Sequence, residues 1–262
     1  MSVGPDLPVV MSSSGKGGVG KSLQSIGITA AIAREIPVGL LDIDVRSPNL
    51  PYILGLPGRV ETTGEGRPIP NYARLGGRDV PVFSSSFIFG SGTSITMPGE
   101  QVRSTIKDMV YDVLWPEIDA LVIDVDPGPG DSLAAVSRVF RHTSAYIIST
   151  SDPSSLEDCA RMIDACRNSG TVVLGVVANM AGTECPHCSA RLVCADCGAD
   201  VPYGDPTPVV ELARRSDVRY MGSLPWNPLF RTEPVRMVEG RHRAIFDDMA
   251  RQFLTWNSFW ES

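Results

Sequence analysis

The sequence lacks several features that would point to a membrane or nucleic-acid protein. It contains no apolar run approaching the roughly 18 residues that a membrane-spanning helix needs. It also lacks excess positive charge: 23 Lys and Arg face 30 Asp and Glu, giving a net charge of -7, so no basic field attracts phosphate backbones. The N-terminus shows neither the basic region nor the long apolar segment of a secretory signal. We therefore expect a cytoplasmic protein without membrane or nucleic acid as a main partner.

A glycine-rich segment near the N-terminus carries the clearest chemical signal. Residues 14–22 read S-G-K-G-G-V-G-K-S, which fits the phosphate-binding pattern G-x-x-x-x-G-K-[ST]. A strand-length apolar run, residues 8–11, precedes it, and apolar residues at helical spacing follow from Leu23. This order disfavours the alternative of a glycine-rich surface turn. We predict that Lys21 reaches the β and γ phosphates and that Ser22 holds Mg2+.

A second lysine, Lys16, is not part of the general pattern. The loop K-G-G-x-G-K-[ST] resembles that of the "deviant Walker A" ATPases. The resemblance implies that Lys16 crosses a dimer interface and touches the nucleotide of the partner. ATP binding and formation of a homodimer would then be coupled.

Acidic residues close two of the predicted strands. The apolar run at 38–41 is followed by Asp42-Ile43-Asp44, and the run at 120–123 is followed by Asp124. Ligands of open α/β sheets bind at the carboxyl ends of the strands. We assign Asp44 to the attacking water and Asp124 to a water on Mg2+.

Strands and helices alternate along the chain, which predicts an α/β fold with a doubly wound, mainly parallel sheet of the P-loop NTPase type. Further strands are predicted at 80–83, 144–148, 172–177 and 218–224. Helices are predicted at 100–114, 154–168 and 209–215 and at the C-terminus. The segment from 55 to 79 is rich in Gly, Pro and Arg, so we interpret it as a surface loop.

Three further segments resemble Mrp/ApbC-type members of the MinD/ParA-like superfamily. Residues 125–131, V-D-P-G-P-G-D, resemble D-x-P-P-G-T-G-D, although an aspartate and a proline replace the usual proline and threonine. The resemblance implies that Gly128 senses the γ-phosphate. Residues 178–180 resemble E-N-M, which implies that Asn179 hydrogen-bonds the adenine. Residues 225–228 resemble I-P-x-D/N-P, which implies that Pro225 lines the purine.

Four of the six cysteines lie within thirteen residues and form two C-x-x-C pairs, Cys185 with Cys188 and Cys194 with Cys197. Two such pairs can complete a tetrahedral shell of four thiolates. Free structural cysteines are the weaker alternative, because these lie in a polar segment. The pattern thus predicts a metal site, with zinc and iron–sulfur both open.

The segment from Asn179 to Cys188 resembles the Mrp-type motif N-M-s-x-x-x-C-P-x-C. The resemblance implies that Cys185 and Cys188 of two subunits hold a bridging [4Fe-4S] cluster. Cys194 and Cys197 are absent from the usual carrier, and four cysteines in one chain could instead close a zinc site. We predict one domain, residues 1–262, with residues 183–205 as an inserted cysteine-rich metal loop.

Together these observations predict an ATP-binding homodimer that hydrolyses ATP slowly and transfers an iron–sulfur cluster to apoproteins. The alternative is a MinD/ParA-like regulatory or metalloenzyme-maturation ATPase with a structural zinc knuckle. The residues assigned to the nucleotide are Gly15, Lys16, Gly17, Gly18, Val19, Gly20, Lys21, Ser22, Leu23, Asp124, Gly128, Asn179 and Pro225.

Overall fold

The computed structural model describes residues 4–45, 47–89, 99–199 and 204–258. The strands are β1 (Val9–Ser13), β2 (Val38–Asp42), β3 (Glu61–Thr62), β4 (Pro68–Ile69), β5 (Asn71–Leu75), β6 (Arg78–Ser84), β7 (Ala120–Asp124), β8 (Thr143–Ser149), β9 (Val172–Ala178) and β10 (Tyr220–Ser223). The helices are α1 (Lys21–Ala33), α2 (Leu50–Ile53), α3 (Ser86–Phe89), α4 (Gly99–Tyr111), α5 (Asp131–Val139), α6 (Pro153–Asn168), α7 (Thr207–Arg215), α8 (Leu229–Thr232), α9 (Pro234–Glu239) and α10 (Arg243–Ser258).

The main sheet has eight strands in the order β10-β9-β8-β1-β7-β2-β6-β5. Its neighbouring strands are parallel except for β5, which runs antiparallel to β6. The strand that precedes the glycine loop, β1, lies between β7 and β8, so the loop emerges at the centre of the sheet. The predicted α/β class with a mainly parallel sheet is confirmed.

Each face of the sheet is covered by its own set of helices. Alternate residues of β1 point to opposite faces, so Val9 and Met11 join one core while Val10 joins the other. The first core is covered by α4, α5, α6 and α7, and the second by α1, α9 and α10. The central strands β1, β2, β7 and β8 are buried on both faces, which is why they read as largely apolar runs in the sequence.

The prediction of a surface loop at 55–79 is wrong for the second half of this segment, which forms β5 and the start of β6. Ala73 and Leu75 are buried while Tyr72 is exposed, so β5 has the alternation of an edge strand. Gly76 and Gly77 connect β5 to β6 with φ of 59° and 80°, as a tight two-residue hairpin turn requires. Gly76 and Gly77, which were among the glycines that suggested a loop, form the turn of a hairpin.

The predicted amphipathic helices are confirmed. In and after α4, the side chains of Val102, Ile106, Met109 and Val113 are buried. At the other end of the chain, α10 buries Phe246, Met249, Ala250 and Phe253. No helix in the described ranges is long and apolar enough to cross a membrane.

Candidate functional site

The glycine loop links the end of β1 to the start of α1, and its glycines are required by geometry. Gly20 has φ of 89°, and a Cβ there would lie 2.1 Å from Nδ2 of Asn179. Gly18 has φ of 81° but faces open space. A Cβ on Gly15 would lie 2.2 Å from the carbonyl carbon of Asp158, so the loop packs directly on the backbone of α6. The spacing of the motif therefore matches both backbone conformation and packing.

A cavity of about 910 Å3 opens beside this loop at the carboxyl ends of the strands. Most of the predicted nucleotide residues line it, together with Asp44, which is assigned to the attacking water: Lys16, Gly17, Gly18, Gly20, Lys21, Ser22, Leu23, Asn179 and Pro225. Its remaining wall includes side chains that the sequence motifs did not single out, from α2, α8 and their flanks: Asn49, Tyr52, Ile53, Phe230, Arg231 and Thr232. These helices have only four residues each, too few to give a periodic signal.

Three predicted residues outside the lining, Gly15, Val19 and Gly128, support the cavity from behind. Gly15 packs on α6, and Val19 accepts a hydrogen bond at its carbonyl oxygen from Nδ2 of Asn179, 2.7 Å away. Gly128 has φ of 87°, and its N–H donates to the carbonyl oxygen of Ser14 over 2.7 Å. Asn179 thus holds the phosphate loop, an additional contact that its predicted role toward adenine did not include.

Lys21 lies between two carboxylates. Its Nζ is 2.6 Å from Oδ1 of Asp124 and 3.5 Å from Oδ2 of Asp44, and all three side chains are buried. Burial lowers the pKa of Lys21, but the attraction of Asp124 and Asp44 outweighs it and leaves the pKa raised. The lysine is therefore positively charged at the edge of the cavity.

Asp42 differs from Asp44, although both close the same strand. Asp42 is fully buried and accepts hydrogen bonds from the N–H of Asp44, the N–H of Leu50 and the hydroxyl of Ser84, over 3.1, 3.3 and 3.0 Å. Burial, and then the neighbouring charge of Asp124, raise the pKa of Asp42 well above its usual range. Asp42 positions the loop after β2, whereas Asp44 faces the cavity.

The residues present fit a magnesium ion. Oδ2 of Asp124 is buried and has no hydrogen-bond partner within the described residues. Ser22, with its hydroxyl, and Asp44, with its carboxylate, line the cavity, and Oδ1 of Asp124 lies 2.6 Å from Nζ of the lining residue Lys21. Hard oxygen donors of this kind, together with water and phosphate oxygens, are the ligands that Mg2+ takes.

The side chain of Lys16 points toward helix α6 of the same chain. Its Nζ donates to Oγ of Ser154 over 2.8 Å and lies 3.5 Å from Oδ1 of Asp152, the N-cap of that helix. The side chain is about half exposed, at 47%. Lys16 therefore lies on the outer rim of the cavity, on the surface of the chain.

The two C-x-x-C pairs form two turns of the same construction, which we name the first cysteine turn (residues 185–190) and the second cysteine turn (residues 194–199). In the first, the thiol of Cys185 accepts hydrogen bonds from the backbone N–H groups of Cys188 and His187. In the second, the thiol of Cys194 accepts them from Cys197 and Asp196. These hydrogen bonds lower the pKa of the Cys185 and Cys194 thiols.

Of the predicted cysteine-rich metal loop, residues 183–205, residues 200–203 lie outside the described residues. Within the described ranges, no three His, Cys, Asp or Glu side chains are gathered in a metal-binding arrangement, so the two cysteine pairs do not converge there. The remaining thiols, Cys159 and Cys166, are buried in α6, and burial raises the pKa of Cys166 to about 12. Those two thiols pack in the core.

The first cysteine turn is attached to the wall of the cavity. Glu184 donates its N–H to the carbonyl oxygen of Trp226 over 3.0 Å, and Trp226 donates to Gly182 over 2.8 Å. Oε2 of Glu184 lies 3.2 Å from Nε2 of His242, whose ring lies 5.2 Å from that of Phe230. Trp226 and Phe230 both line the cavity, so backbone and side-chain contacts connect it to Cys185.

Comparison with known proteins agrees with this geometry. The ParA family model, described as NUBPL iron-transfer P-loop NTPase, matches residues 8–240. The Nubp2 homolog of Drosophila grimshawi is 34% identical over 227 residues, which span 84% of this chain and 81% of that protein. CFD1 of Eremothecium gossypii is 35% identical over 240 residues, spanning 89% and 81%. Both relatives are named cytosolic Fe-S cluster assembly factors.

Solved structures are similar over nearly the whole chain. A nucleotide-binding protein from Archaeoglobus fulgidus in complex with ADP has a TM-score of 0.65 at 26% identity, covering 95% of this chain and 88% of that one. The cell division ATPase MinD of Pyrococcus furiosus has a TM-score of 0.62 at 17% identity, covering 95% and 99%, and shares the fold. The family expected from the sequence motifs is confirmed: the chain belongs to the ParA/NUBPL family of iron-transfer P-loop NTPases.

Proposed function

We propose that this protein is an ATP-dependent, homodimeric carrier that holds an iron–sulfur cluster, of the [4Fe-4S] type, and transfers it to apoproteins in the cytoplasm. The observation that carries the proposal is the attachment of the first cysteine turn to the cavity wall through Glu184 and Trp226. A nucleotide that moves this wall also moves Cys185. The names of the relatives, which are cytosolic Fe-S cluster assembly factors, support the same function.

The nucleotide would bind along the glycine loop with its phosphates at the start of α1. Lys21 contacts the β and γ phosphates, and backbone N–H groups of the loop and the positive end of the α1 dipole add to the binding. Pro225 and Asn179 face the base. Ser22 and Asp124 hold Mg2+, Asp124 through water, and the bound ion balances the charge of the phosphates.

Asp44 positions the attacking water, and hydrolysis is slow. Catalysis of phosphoryl transfer depends on positioning and charge stabilisation. Residues 125–131 differ from the family segment at Asp126 and Pro129, and Gly128 is held by Ser14. Gly128 reports the γ-phosphate by exchanging that hydrogen bond for one to a phosphate oxygen.

Lys16 acts on the second subunit. Its contacts with Ser154 and Asp152 are exposed, and exposed ion pairs contribute little to stability. The side chain can therefore leave α6 at small cost and reach the nucleotide of a partner that docks across the cavity rim. Dimer formation then depends on bound ATP.

The cluster is the cargo. Cys185 and Cys188 supply two thiolates, and the same pair in the second subunit completes the four that a [4Fe-4S] cluster needs. The backbone N–H groups directed at Cys185 favour its thiolate form, which is the form that binds metal. A half-exposed Cys185 and an exposed Cys188 leave the cluster accessible to an acceptor.

The test is cluster transfer from protein reconstituted under anaerobic conditions with Fe2+ and sulfide. Wild-type protein is expected to activate an apo [4Fe-4S] enzyme, and the variant Cys185→Ser/Cys188→Ser is expected not to. Cys166→Ala, which removes a buried thiol, is the control and should transfer like wild type. Transfer by the double variant at the wild-type rate would contradict the proposal. Zinc without iron or sulfide in wild-type protein purified anaerobically, before any reconstitution, would also contradict it and would favour the regulatory ATPase.

A further inference from the structure

The second cysteine turn repeats the first hydrogen bond for hydrogen bond. The N–H of Cys185 donates to Ala190 over 2.9 Å, and the N–H of Cys194 donates to Ala199 over 2.7 Å. In the opposite direction, the N–H groups of the residues four positions after each first cysteine, Ser189 and Gly198, donate to the carbonyl oxygens of Cys185 and Cys194 over 2.8 and 2.9 Å. The chain therefore builds one local structure twice within fifteen residues.

Backbone conformation confirms that the two turns are equivalent. Ser189 has φ of 57° and Gly198 has φ of 71°, so both chains reverse through the left-handed region. A serine is disfavoured in that region relative to glycine, so the surrounding hydrogen bonds hold it there. Backbone hydrogen bonds therefore hold this conformation in the first cysteine turn, and in the second cysteine turn the glycine favours it as well.

The sulfur atoms are arranged alike in both turns. In each, the first thiol is half-buried and accepts two backbone N–H groups, and the second thiol is exposed. Each turn closes on itself, because both partners of its backbone hydrogen bonds lie within its own six residues. Each pair can therefore offer two thiolates to a metal without the other pair.

We propose that Cys194 and Cys197 form a second dithiolate half-site for a metal centre, an iron–sulfur cluster or zinc, separate from Cys185 and Cys188. This inference rests on the proposed function, since it adds a second metal position to the same carrier. Soft thiolate pairs select zinc and iron–sulfur centres, and the remaining ligands come from outside this chain. Each subunit then carries two half-sites.

The two half-sites differ in their connection to the nucleotide. The first cysteine turn is bonded to the cavity wall through Glu184 and Trp226. The second is connected less directly: the N–H of Leu192, two residues before Cys194, donates to the carbonyl oxygen of Thr183 over 2.8 Å, and Thr183 is bridged to Trp226. We therefore expect metal retention at the second half-site to depend less on ATP than metal retention at the first.

The experiment compares the metal content of three proteins: wild type, Cys185→Ser/Cys188→Ser and Cys194→Ser/Cys197→Ser. Each is reconstituted with Fe2+ and sulfide, or with Zn2+ alone, and analysed for iron, sulfide and zinc per chain. Each double variant should keep roughly half of the wild-type metal. Asp196→Asn, inside the second turn, is the matched control and should keep all of it. Unchanged ATP affinity verifies that every variant is folded.

Two results would overturn the inference. Wild-type metal content in Cys194→Ser/Cys197→Ser would mean that the second pair binds nothing, which leaves the proposed carrier intact. Complete loss in both double variants would mean that the four cysteines form one site. Iron with sulfide at the second pair identifies a cluster, and zinc alone identifies a mononuclear centre. A different result would contradict the proposed carrier function itself: wild-type metal content in Cys185→Ser/Cys188→Ser.

Discussion

The nucleotide cavity and the cysteine turns are built in opposite ways. The cavity is formed by residues from distant parts of the chain, and its central lysine, Lys21, is buried between Asp44 and Asp124. The cysteine turns are formed by six-residue segments whose hydrogen bonds are local and whose second thiols are exposed. The cavity therefore depends on the whole sheet, whereas the turns depend on their own backbone.

This difference assigns the two regions different tasks. A site held by buried, long-range contacts can discriminate among ligands by its shape and charge. A site on a local, exposed turn can take up and release a metal centre without unfolding the core. The contacts from Glu184 to Trp226 and from His242 to Phe230 are where the two regions meet. We expect the largest effect from substitutions of the cavity residue Lys21. Substitution of Gly20, which packs against Asn179, should have a smaller effect, and substitution of Glu184, where the two regions meet, the smallest.

Lys21→Ala should have the largest effect, because it removes the charge that we propose contacts the β and γ phosphates. Charge-assisted hydrogen bonds contribute about 1.5–3 kcal/mol each, so ATP affinity should fall by roughly 100-fold or more. Isothermal titration calorimetry measures the affinity. Lys107→Ala, at an exposed position of α4 outside the cavity lining, is the matched control and should bind within about twofold of wild type. Equal affinities of Lys21→Ala and wild type would remove Lys21 from the site.

Gly20→Ala should destabilise the protein more than Gly18→Ala. Both place a side chain at positive φ, at a cost of about 1–2 kcal/mol, but only the Gly20 substitution collides with Asn179. Displacing Asn179 also breaks its hydrogen bond to Val19, so the free energy of unfolding should fall by about 2 kcal/mol more.

Denaturant unfolding of both variants measures this difference. Adding Asn179→Ala to Gly20→Ala should cost less than the sum of the two single changes, since the collision is then removed. Equal costs for Gly18→Ala and Gly20→Ala would mean that Asn179 does not hold the loop.

Glu184→Gln should have a small effect on each region but a measurable effect on their connection. It removes the carboxylate that lies 3.2 Å from His242 and 3.6 Å from Arg241. ATP affinity should stay within about twofold of wild type, while the effect of ATP on cluster release should fall by roughly threefold or more. Glu211→Gln, which removes a carboxylate paired with Arg214 on α7, is the control. A wild-type ATP effect in Glu184→Gln would exclude this connection.

The sequence predicted the parts of the site that depend on local order. Strand, glycine loop and helix, and the acids that close β2 and β7, follow from hydrophobic runs and their ends. The assignment of Asp44 rather than Asp42 has no basis in the local sequence, because their separation into a cavity residue and a buried support depends on Ser84 and Leu50.

Other features needed tertiary information. The strand β5 is not predicted from the sequence, because the glycines around it suggest a loop. Gly76 and Gly77, however, lie between two strand-length segments, and such a glycine pair is a hairpin signal. The cavity wall from α2 and α8 is assembled by short helices without periodicity. Likewise, the contact between Glu184 and His242 joins residues far apart in the chain and has no local signature.

The most direct test is the rate at which a chelator removes iron from the reconstituted wild-type protein, with and without ATP and Mg2+. If the cavity controls the first cysteine turn, ATP should change the rate by roughly fivefold or more, since coupling between sites is typically 1–3 kcal/mol. Lys21→Ala should show no such change. The same rate with and without ATP in wild-type protein that binds ATP would contradict the coupling of nucleotide to cluster.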